Sequence, residues 1–290
     1  MLKYSVIIPA HNEGEYLSGL LDSLAGQSLL PQQAIIVNDH SSDQTENIID
    51  EYATKFPWIS KVNSLTQASR LPGSKVVAAF EKGLEKIDQP FDFIVKLDAD
   101  LILPPQYFEK VANVFKQNPK AGIVGGFAYE LENDQWELNH PMGKDHVRGA
   151  FKSYSKSCFE KMNGLRCSIG WDTIDELLCR FHGFEVITLP ELKVKHLRPT
   201  GSSYSKKAKY LQGQAMYKMR YGLGIAFLSM AKVSWKQKKP GYLLDSMLGY
   251  LMAWLKNTEK AVNSREGQFI RDYRWKNIFK KISGKSSEIS

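Results

Sequence analysis

The sequence predicts an α/β fold in which a mostly parallel sheet is flanked by helices and followed by a basic, helical C-terminal extension. Short apolar runs rich in β-branched residues alternate with stretches of helical periodicity, as expected of parallel strands joined by crossover helices. Several of these runs end in polar turns, where open α/β sheets place their ligands. Charge also changes along the chain, so we divide it into a core domain, residues 1–204, and the extension, residues 205–290.

The composition is that of a folded protein. Of the 290 residues, 43% are hydrophobic and 24% are charged, which suits one large α/β domain with an appendage and argues against a disordered chain. Cys158, Cys167 and Cys179 form neither an even disulfide set nor a close metal-binding pair, so we expect a reducing cytoplasm. A strand that starts near residue 4 leaves no room for a signal peptide.

The first half of the chain predicts four strands with helices between them. Apolar runs mark the strands, of which the third is the weakest, at residues 4–10, 34–37, 61–65 and 91–97. Helices are expected to begin near residues 12, 43 and 70. Asn12 followed by Glu15 fits the reciprocal capping pair of a helix N-terminus, so we expect Asn12 to cap the first helix. The apolar face of that helix is Leu17, Leu20, Leu21 and Leu24.

The second half predicts a less regular alternation. Helices are expected at residues 105–117 and 157–163 and from residue 170, and strands at residues 121–129, 152–157 and 184–189. Residues 130–150 are polar and predict a long loop over the ligand-binding edge. Loops of that length inside compact domains often have a function.

Two carboxylates, Asp98 and Asp100, follow the fourth predicted strand with one residue between them. An Asp-x-Asp triplet alone is weak evidence, because the 14 Asp residues of the chain give roughly 0.7 such triplets by chance. Its position directly after a buried strand is the informative feature. Mg²⁺ and Mn²⁺ prefer carboxylate and phosphate oxygens, so this turn predicts a divalent cation that holds a diphosphate.

The glycine-rich phosphate cradles of other α/β proteins are missing from the sequence. No Gly-x-Gly-x-x-Gly follows the first strand, and no Gly-x4-Gly-Lys-Ser/Thr occurs anywhere. This argues against a dinucleotide-binding or P-loop protein. Other groups must therefore hold any phosphate that binds here.

Five motifs in this order resemble the glycosyltransferases of family 2, which have the GT-A fold. The resemblance covers about residues 3–200 and rests on the order of the motifs, since each is weak alone. They read VIIPAHNE at residues 6–13, VNDHSSD at 37–43, DAD at 98–100 and GWDTIDE at 170–176, followed by the late histidine His196. The resemblance implies an inverting transfer from a nucleotide-sugar, with a UDP-sugar favoured as the donor.

The resemblance also implies which residues line the nucleotide-sugar, namely Ala10, Glu13, Asp39, Arg70 and Asp98. Asp39 would accept hydrogen bonds from the nucleobase. Asn38 and His40 depart from the family's usual V-D-D-G-S turn at this point, which puts the local backbone in question. Arg70 would approach the base or the diphosphate, and Asp98 would contact the ribose or the water shell of the metal.

Asp100 and His196 are implied to bind Mn²⁺ or Mg²⁺. The general base is harder to place, because the family's usual Glu-Asp pair is not spelled out in this sequence. A carboxylate must reach the acceptor hydroxyl opposite the departing nucleotide, and Asp175 is our first choice and Asp172 our second. Carboxylates in the first turn of a helix also stabilise the helix dipole, so a purely structural role stays open for both.

The C-terminal extension differs from the core domain in charge. Residues 201–290 contain 18 Lys and Arg against 5 Asp and Glu, whereas residues 1–200 contain 21 against 26. Charges interrupt its two apolar helical stretches, residues 221–235 and 242–255, so neither is expected to span a bilayer. Such helices suit an anionic membrane interface, or they pack on the core domain and expose Lys residues to solvent. We expect no nucleic acid partner, because the acidic core would repel one.

The leading interpretation is a metal-dependent, inverting glycosyltransferase of polysaccharide biosynthesis. It would act in the cytoplasm, peripheral to the inner face of the cell membrane, on a hydroxyl of a lipid-linked or surface-glycan acceptor. A nucleotidyltransferase is one alternative, but such enzymes carry a glycine-rich, basic loop where residues 10–15 are acidic. A non-catalytic glycan- or lipid-binding module on the same fold is the other, and metal-dependent UDP binding would distinguish it from the enzyme.

Overall fold

The structure is a computed structural model that describes residues 1–64, 73–139, 145–198 and 210–283. In this part of the chain, nine strands form one mixed sheet. The strands are β1 Tyr4–Ala10, β2 Gln33–Asp39, β3 Ile59–Ser64, β4 Phe93–Leu97, β5 Leu101–Ile102, β6 Ala121–Glu132, β7 Gln135–Leu138, β8 Phe151–Ser155 and β9 Glu185–His196. The accompanying helices are α1 Leu17–Ala25, α2 Thr45–Lys55, α3 Ser74–Leu84, α4 Tyr107–Gln117 and α5 Lys156–Lys161. These elements belong to a first compact unit, Met1–Cys167 with His182–Ser202.

The strand order is β3–β2–β1–β4–β8–β6–β9–β5, with β7 beside β6. The strands β1 to β4 are parallel to their neighbours among themselves, as the alternation with helices predicts. Beyond them the directions are mixed, because β8 runs antiparallel to both β4 and β6. The short β5 pairs antiparallel with β9, and this register sets Leu101 opposite His196. The turn after β4 and the end of β9 therefore meet.

The core fixes the strands whose ends carry the polar turns. α1 buries its four predicted leucines. α3 lies close to β1 because Gly83 has no side chain, and a Cβ there would come within 2.5 Å of Ile7 Cγ2. Across the sheet neighbours β1 and β4, the rings of Tyr4 and Phe93 stack with centroids 4.9 Å apart. Apolar packing thus holds β1 and β4 on both faces.

The cap predicted for the first helix is wrong. α1 begins at Leu17, with Tyr16 in the N-cap position and no side-chain capping bond. Asn12 has a left-handed backbone with φ 54°. Its Oδ1 accepts a hydrogen bond from the N–H of Ser42 at 2.8 Å. The turn after β2 supplies the closer donor, so Asn12 joins two turns instead of capping a helix.

The long loop predicted for residues 130–150 is wrong for residues 130–138. β6 continues to Glu132 and returns as β7. Asn133 and Asp134 connect the two strands with φ values of 48° and 62°, and a tight hairpin turn needs this left-handed backbone at both positions. Residues 140–144 lie outside the described residues. The strand predicted for residues 184–189 is also longer, since β9 runs to His196.

A second compact unit comprises Ser168–Phe181 and Ser203–Ser290, so it includes one segment that we assigned to the core domain. Its helices are α6 Trp171–Phe181, α7 Leu211–Lys218, α8 Leu223–Gln237, α9 Pro240–Leu255 and α10 Ser264–Ile282. α8 and α9 confirm the two predicted apolar stretches, whereas α7 and α10 were not predicted. Among the described residues, no helix combines the length and hydropathy that crossing a bilayer would need.

Glycines set the packing of α7 against α9 in this unit. A Cβ on Gly213 would overlap the carbonyl oxygen of Ser246, and one on Gly249 would overlap that of Tyr210. The two helices therefore approach as closely as backbone atoms permit. α10 begins at a capping box, in which Asn263 Oδ1 accepts from the N–H of Glu266 at 2.9 Å and Glu266 Oε2 accepts from the N–H of Asn263 at 2.7 Å.

Candidate active site

Polar residues gather where β1, β2, β4 and β9 end. They line a cleft of about 260 Å³ in the first unit. The predicted residues that share this cleft are Ala10, Glu13, Asp39, Asp98 and Asp100. Arg70, which was also predicted to approach the nucleotide, lies outside the described residues. The structure thus brings together side chains that are up to about 90 positions apart in the sequence.

Asp100 and His196 lie side by side, with 3.4 Å between Oδ2 and Nε2. The other ring nitrogen of His196, Nδ1, is 3.2 Å from Glu130 Oε1. Arg148 donates to the same carboxylate oxygen at 3.1 Å. A proton on Nδ1 that is donated to Glu130 leaves the Nε2 lone pair beside Asp100, which is the arrangement by which carboxylates orient metal-binding histidines. No pattern in the sequence pointed to Glu130 or Arg148.

The charges of this pair shift both of its pKa values. Burial raises the pKa of Asp100, but the hydrogen bond and charge of His196 and the charge of Arg198 outweigh burial and hold that pKa below its ordinary value. Burial lowers the pKa of His196, but the hydrogen bond and charge of Asp100, with a hydrogen bond from Glu130, overcome both burial and the charge of Arg148 and raise it. Without a bound cation, the pair therefore favours a carboxylate beside an imidazolium.

Asp98 has a different neighbour from Asp100. Lys96 is 2% exposed, and its Nζ donates both to Asp98 Oδ1 and to the carbonyl oxygen of Gly149, the latter at 2.9 Å. Lys96 sits within the apolar β4 run, where a lysine is unexpected, and that is the sequence signal for its role. The two acids of the triplet therefore have different partners, Asp98 a lysine and Asp100 a histidine.

Arg198 is a site residue that the sequence analysis did not identify. It donates to both carboxylate oxygens of Glu13, at 2.6 and 3.2 Å, although the two residues are 185 positions apart. Its guanidinium also lies 5.1 Å from the centroid of the Tyr16 ring. Burial raises the pKa of Glu13, and the charges of Asp98 and Asp100 add to this while Arg198 opposes it. Arg198 follows His196 by two positions, the spacing that places extended residues on one side, and this spacing was the available signal.

Asp39 ends β2 and borders the cleft. The next residue, His40, has φ 54°, the left-handed region that glycine favours. This explains why a glycine stands here in the usual family turn. His40 takes up that backbone with a side chain, and its Nδ1 lies 3.6 Å from Asp39 Oδ1.

Asp172 and Asp175, the predicted base candidates, lie at the start of α6 in the second unit. Asp175 is 2% exposed, and its Oδ1 is 2.6 Å from the backbone nitrogen of Glu176. Asp172 is partly exposed. Their catalytic roles stay predictions.

The residues of the cleft fit a divalent cation that shares its ligands with a substrate. Among the described residues, no group of three or more His, Cys, Asp or Glu is arranged to hold a metal ion. Asp100 and His196 offer one oxygen and one nitrogen donor. Mg²⁺ and Mn²⁺ commonly bind through one or two side chains together with phosphate oxygens and water. The donor set therefore suits a cation that binds with a diphosphate.

The mixed α/β sheet, with carboxylates and a histidine gathered at its strand ends, agrees with the GT-A fold that the sequence motifs predict. The family model described as Glycosyl transferase family 2 matches residues 5–171, which is more than half of the chain. The protein belongs to this family. The predicted fold class and family are thereby confirmed.

Two relatives illustrate how far the similarity extends. TarP of Staphylococcus aureus, named as a poly(ribitol-phosphate) beta-N-acetylglucosaminyltransferase, is 25% identical over 228 residues, which cover 76% of this chain and 61% of TarP. The uncharacterized glycosyltransferase MG025 of Mycoplasma genitalium is 31% identical over 178 residues, or 56% of each chain. The chain thus spans less than two thirds of the length of either relative.

Solved structures share the fold. TarS of S. aureus, residues 1–349 in complex with UDP-GlcNAc, superposes with a TM-score of 0.56 at 19% identity, covering 76% of this chain and 65% of that one. The mannosyltransferase PcManGT of Pyrobaculum calidifontis, in complex with GDP-Man and Mn²⁺, superposes with a TM-score of 0.58 at 15% identity, covering 97% and 87%.

Proposed function

We propose that the protein is a metal-dependent, inverting glycosyltransferase that moves a sugar from a nucleotide-sugar, a UDP-sugar foremost, to a hydroxyl of a lipid-linked or surface-glycan acceptor. The observation that supports this best is the pair Asp100 and His196, 3.4 Å apart beside the cleft that Asp39 and Asp98 line. Membership of the family gives that pair its chemical context.

The cleft residues divide the work of binding the donor. Asp39 accepts hydrogen bonds from the nucleobase, and Asp98, oriented by Lys96, contacts the ribose or the water around the cation. Asp100 and His196 hold Mn²⁺ or Mg²⁺, which when bound neutralises the charge that grows on the departing diphosphate. Glu13 fixes Arg198 at the cleft, where its guanidinium adds a preorganised positive charge.

The acceptor hydroxyl needs a general base, and we assign this role to Asp175 first and to Asp172 second. Attack from the face opposite the nucleotide inverts the anomeric carbon. Asp175 is buried and Asp172 is partly exposed. The variants Asp175→Asn and Asp172→Asn distinguish the two assignments, because each removes one of the two carboxylates. The variant that lacks the base should bind UDP and Mn²⁺ normally and lose turnover. Full turnover in both variants would exclude both assignments.

The names of the relatives favour parts of this proposal. TarP is named for transfer to poly(ribitol-phosphate), TarS was solved with UDP-GlcNAc, and PcManGT with GDP-Man and Mn²⁺. For this chain they favour a nucleotide-sugar donor, a divalent cation and an acceptor of polysaccharide biosynthesis. We place the protein in the cytoplasm, peripheral to the inner face of the cell membrane, because the second unit is basic and anionic lipids attract such segments.

Titration calorimetry with UDP, with and without Mn²⁺, tests the proposal. We expect UDP to bind in a manner that depends on Mn²⁺ and is lost in Asp100→Ala. The control Asp88→Ala changes an exposed aspartate outside the cleft and should bind like the unchanged protein. A thermal-shift panel of nucleotide-sugars would then identify the base and the sugar. A folded protein that binds no UDP with Mn²⁺ would contradict the proposal and favour a non-catalytic module.

A further inference from the structure

A groove between α8 and α10 has no part in the proposed transfer. It encloses about 400 Å³ within the second unit. Its walls are single helix faces, because the lining residues recur at spacings of three, four and seven positions. The residues that the argument uses are Ile225, Leu228, Ser229 and Lys232 on α8 and Arg274 and Asn277 on α10.

Arg274 has more hydrogen-bond donors than its neighbours among the described residues satisfy. Its Nη2 donates to the hydroxyl of Tyr221 at 2.7 Å, and the guanidinium lies 5.2 Å from the centroid of the same ring. Its Nε is buried, and no partner for it lies within the part of the chain that the structure describes. Arg274 also lines the groove, so an anion there would meet its positive charge, although Nε itself is closed to solvent.

The other groups of the groove match an anion with an apolar body. Lys232 is exposed and lines the groove from α8, Arg274 lines it from α10, and Ser229 and Asn277 add neutral donors. Ile225 and Leu228 provide an apolar wall. One guanidinium group and one ammonium group beside an apolar wall suit a phosphate that is attached to hydrocarbon.

The surface around the groove is also apolar. On α8, the side chains of Leu223, Phe227 and Leu228 are 56%, 47% and 42% exposed. Residues 201–290 hold 18 basic against 5 acidic residues. Large exposed apolar side chains on a strongly basic element are typical of helices that lie in an anionic membrane surface.

We propose that the groove between α8 and α10 binds the phosphate head of an anionic phospholipid. The phosphate lies between Arg274 and Lys232, and the start of the acyl chains lies along Ile225 and Leu228. This gives the proposed membrane association a defined site and does not depend on the transfer reaction. The occupant is a bilayer lipid, because a soluble phosphate would leave the apolar wall and the exposed α8 side chains uncovered.

Vesicle flotation of the full chain tests this, with vesicles of phosphatidylcholine alone and of phosphatidylcholine mixed with phosphatidylglycerol. We expect binding only to the mixed vesicles, and a loss of about fivefold or more for Lys232→Glu and for Arg274→Gln. Lys276→Glu is the matched control, because it makes the same charge change at an exposed α10 position outside the groove. It should reduce binding clearly less than Lys232→Glu. Thermal unfolding checks that each variant is folded.

Three results would overturn the proposal. Equal binding to both kinds of vesicle would show that the phosphate head is not recognised. Equal losses in Lys232→Glu and Lys276→Glu would show diffuse attraction without a site. Competition by glycerol 3-phosphate as strong as that by short-chain phosphatidylglycerol would assign the groove to a soluble anion. UDP and Mn²⁺ binding, measured on the same samples, separates a failure of this groove from a failure of the proposed transfer.

Discussion

Replacing Glu130 by Gln tests whether this carboxylate positions His196 for a cation. Glu130 is 6% exposed and accepts from Arg148 at 3.1 Å, while its Oε1 lies 3.2 Å from His196 Nδ1. Gln keeps the length and a carbonyl oxygen but removes the negative charge. His196 should then lose its fixed orientation and become less basic, so it would be a weaker ligand beside Asp100.

The expected effect is a loss of about 10–100-fold in Mn²⁺ affinity in the presence of UDP, the usual range for such second partners. This corresponds to about 1.4–2.7 kcal/mol. Because Glu130 and His196 are both buried, water screens them little, and we expect a value in the upper half of that range. Removing the carboxylate should also lower the pKa of His196. A proton competes with the metal for the imidazole, so the pH below which Mn²⁺ binding weakens should fall.

Calorimetric titration of Mn²⁺ into the protein with UDP, at several pH values, measures both effects. Glu137→Gln is the matched control, since Glu137 pairs with Glu130 across the hairpin but is exposed. It should bind Mn²⁺ like the unchanged protein. If Glu130→Gln is folded and keeps the original affinity and pH profile, then Glu130 does not position His196 and the reasoning is refuted.

Three further predictions concern stability and are measured by thermal or urea unfolding. Gly249→Ala should lower the free energy of unfolding by about 1–3 kcal/mol, because the new Cβ would overlap the carbonyl oxygen of Tyr210. Its control is Gly241→Ala in the same helix, where the new Cβ meets no atom within 4 Å. That variant should raise the free energy of unfolding by about 0.5–1 kcal/mol. Lys96→Met should lower it by about 1–3 kcal/mol, because Asp98 and Gly149 lose a shared donor. In metal-free protein, His196→Gln should cost most between about pH 4 and 6.5. Because the pKa of Asp100 is lowered in the folded protein, the stability contributed by its carboxylate is lost as the pH falls through that pKa. Because the pKa of His196 is raised, the stability contributed by its imidazolium is lost as the pH rises through that pKa. A difference in unfolding free energy that does not change with pH would contradict this.

Local patterns were sufficient for most of the elements. The apolar runs before Asp39 and Asp98 are short and rich in β-branched residues, so strand and polar turn could both be read from neighbouring positions. The hairpin of β6 and β7 was also readable. Asn133-Asp134 is a pair that accepts the left-handed backbone of a tight turn, but the polarity of its surroundings suggested a loop.

Partners that depend on distant pairing could not be predicted from the residues alone. The proximity of Asp100 and His196 follows from the register of β5 with β9, and no local signal specifies that register. The expectation came from the family resemblance. Glu13 and Arg198 are joined across 185 positions in the same way. Asn12 shows the reverse case. Its local sequence favours helix capping, but in the fold it accepts a hydrogen bond from Ser42 in the turn after β2.

The charges around the cleft give a physical reason for a cation. Lys96 is already bonded to Asp98, and Arg198 to Glu13, so neither offers a whole positive charge to a diphosphate. His196 is charged only when it is protonated, a form that burial disfavours but that Asp100 and Glu130 favour by raising its pKa. Lys75 adds one cation, but it is exposed, and water screens it. Among the residues that the structure describes, a diphosphate would therefore meet carboxylates with little excess positive charge, and a divalent ion at Asp100 and His196 would reverse that balance. Uridine has no phosphate, so it should bind equally with and without Mn²⁺, while UDP should not; equal Mn²⁺ dependence of both ligands, measured by calorimetry, would show that the cation acts on the protein and not on the diphosphate.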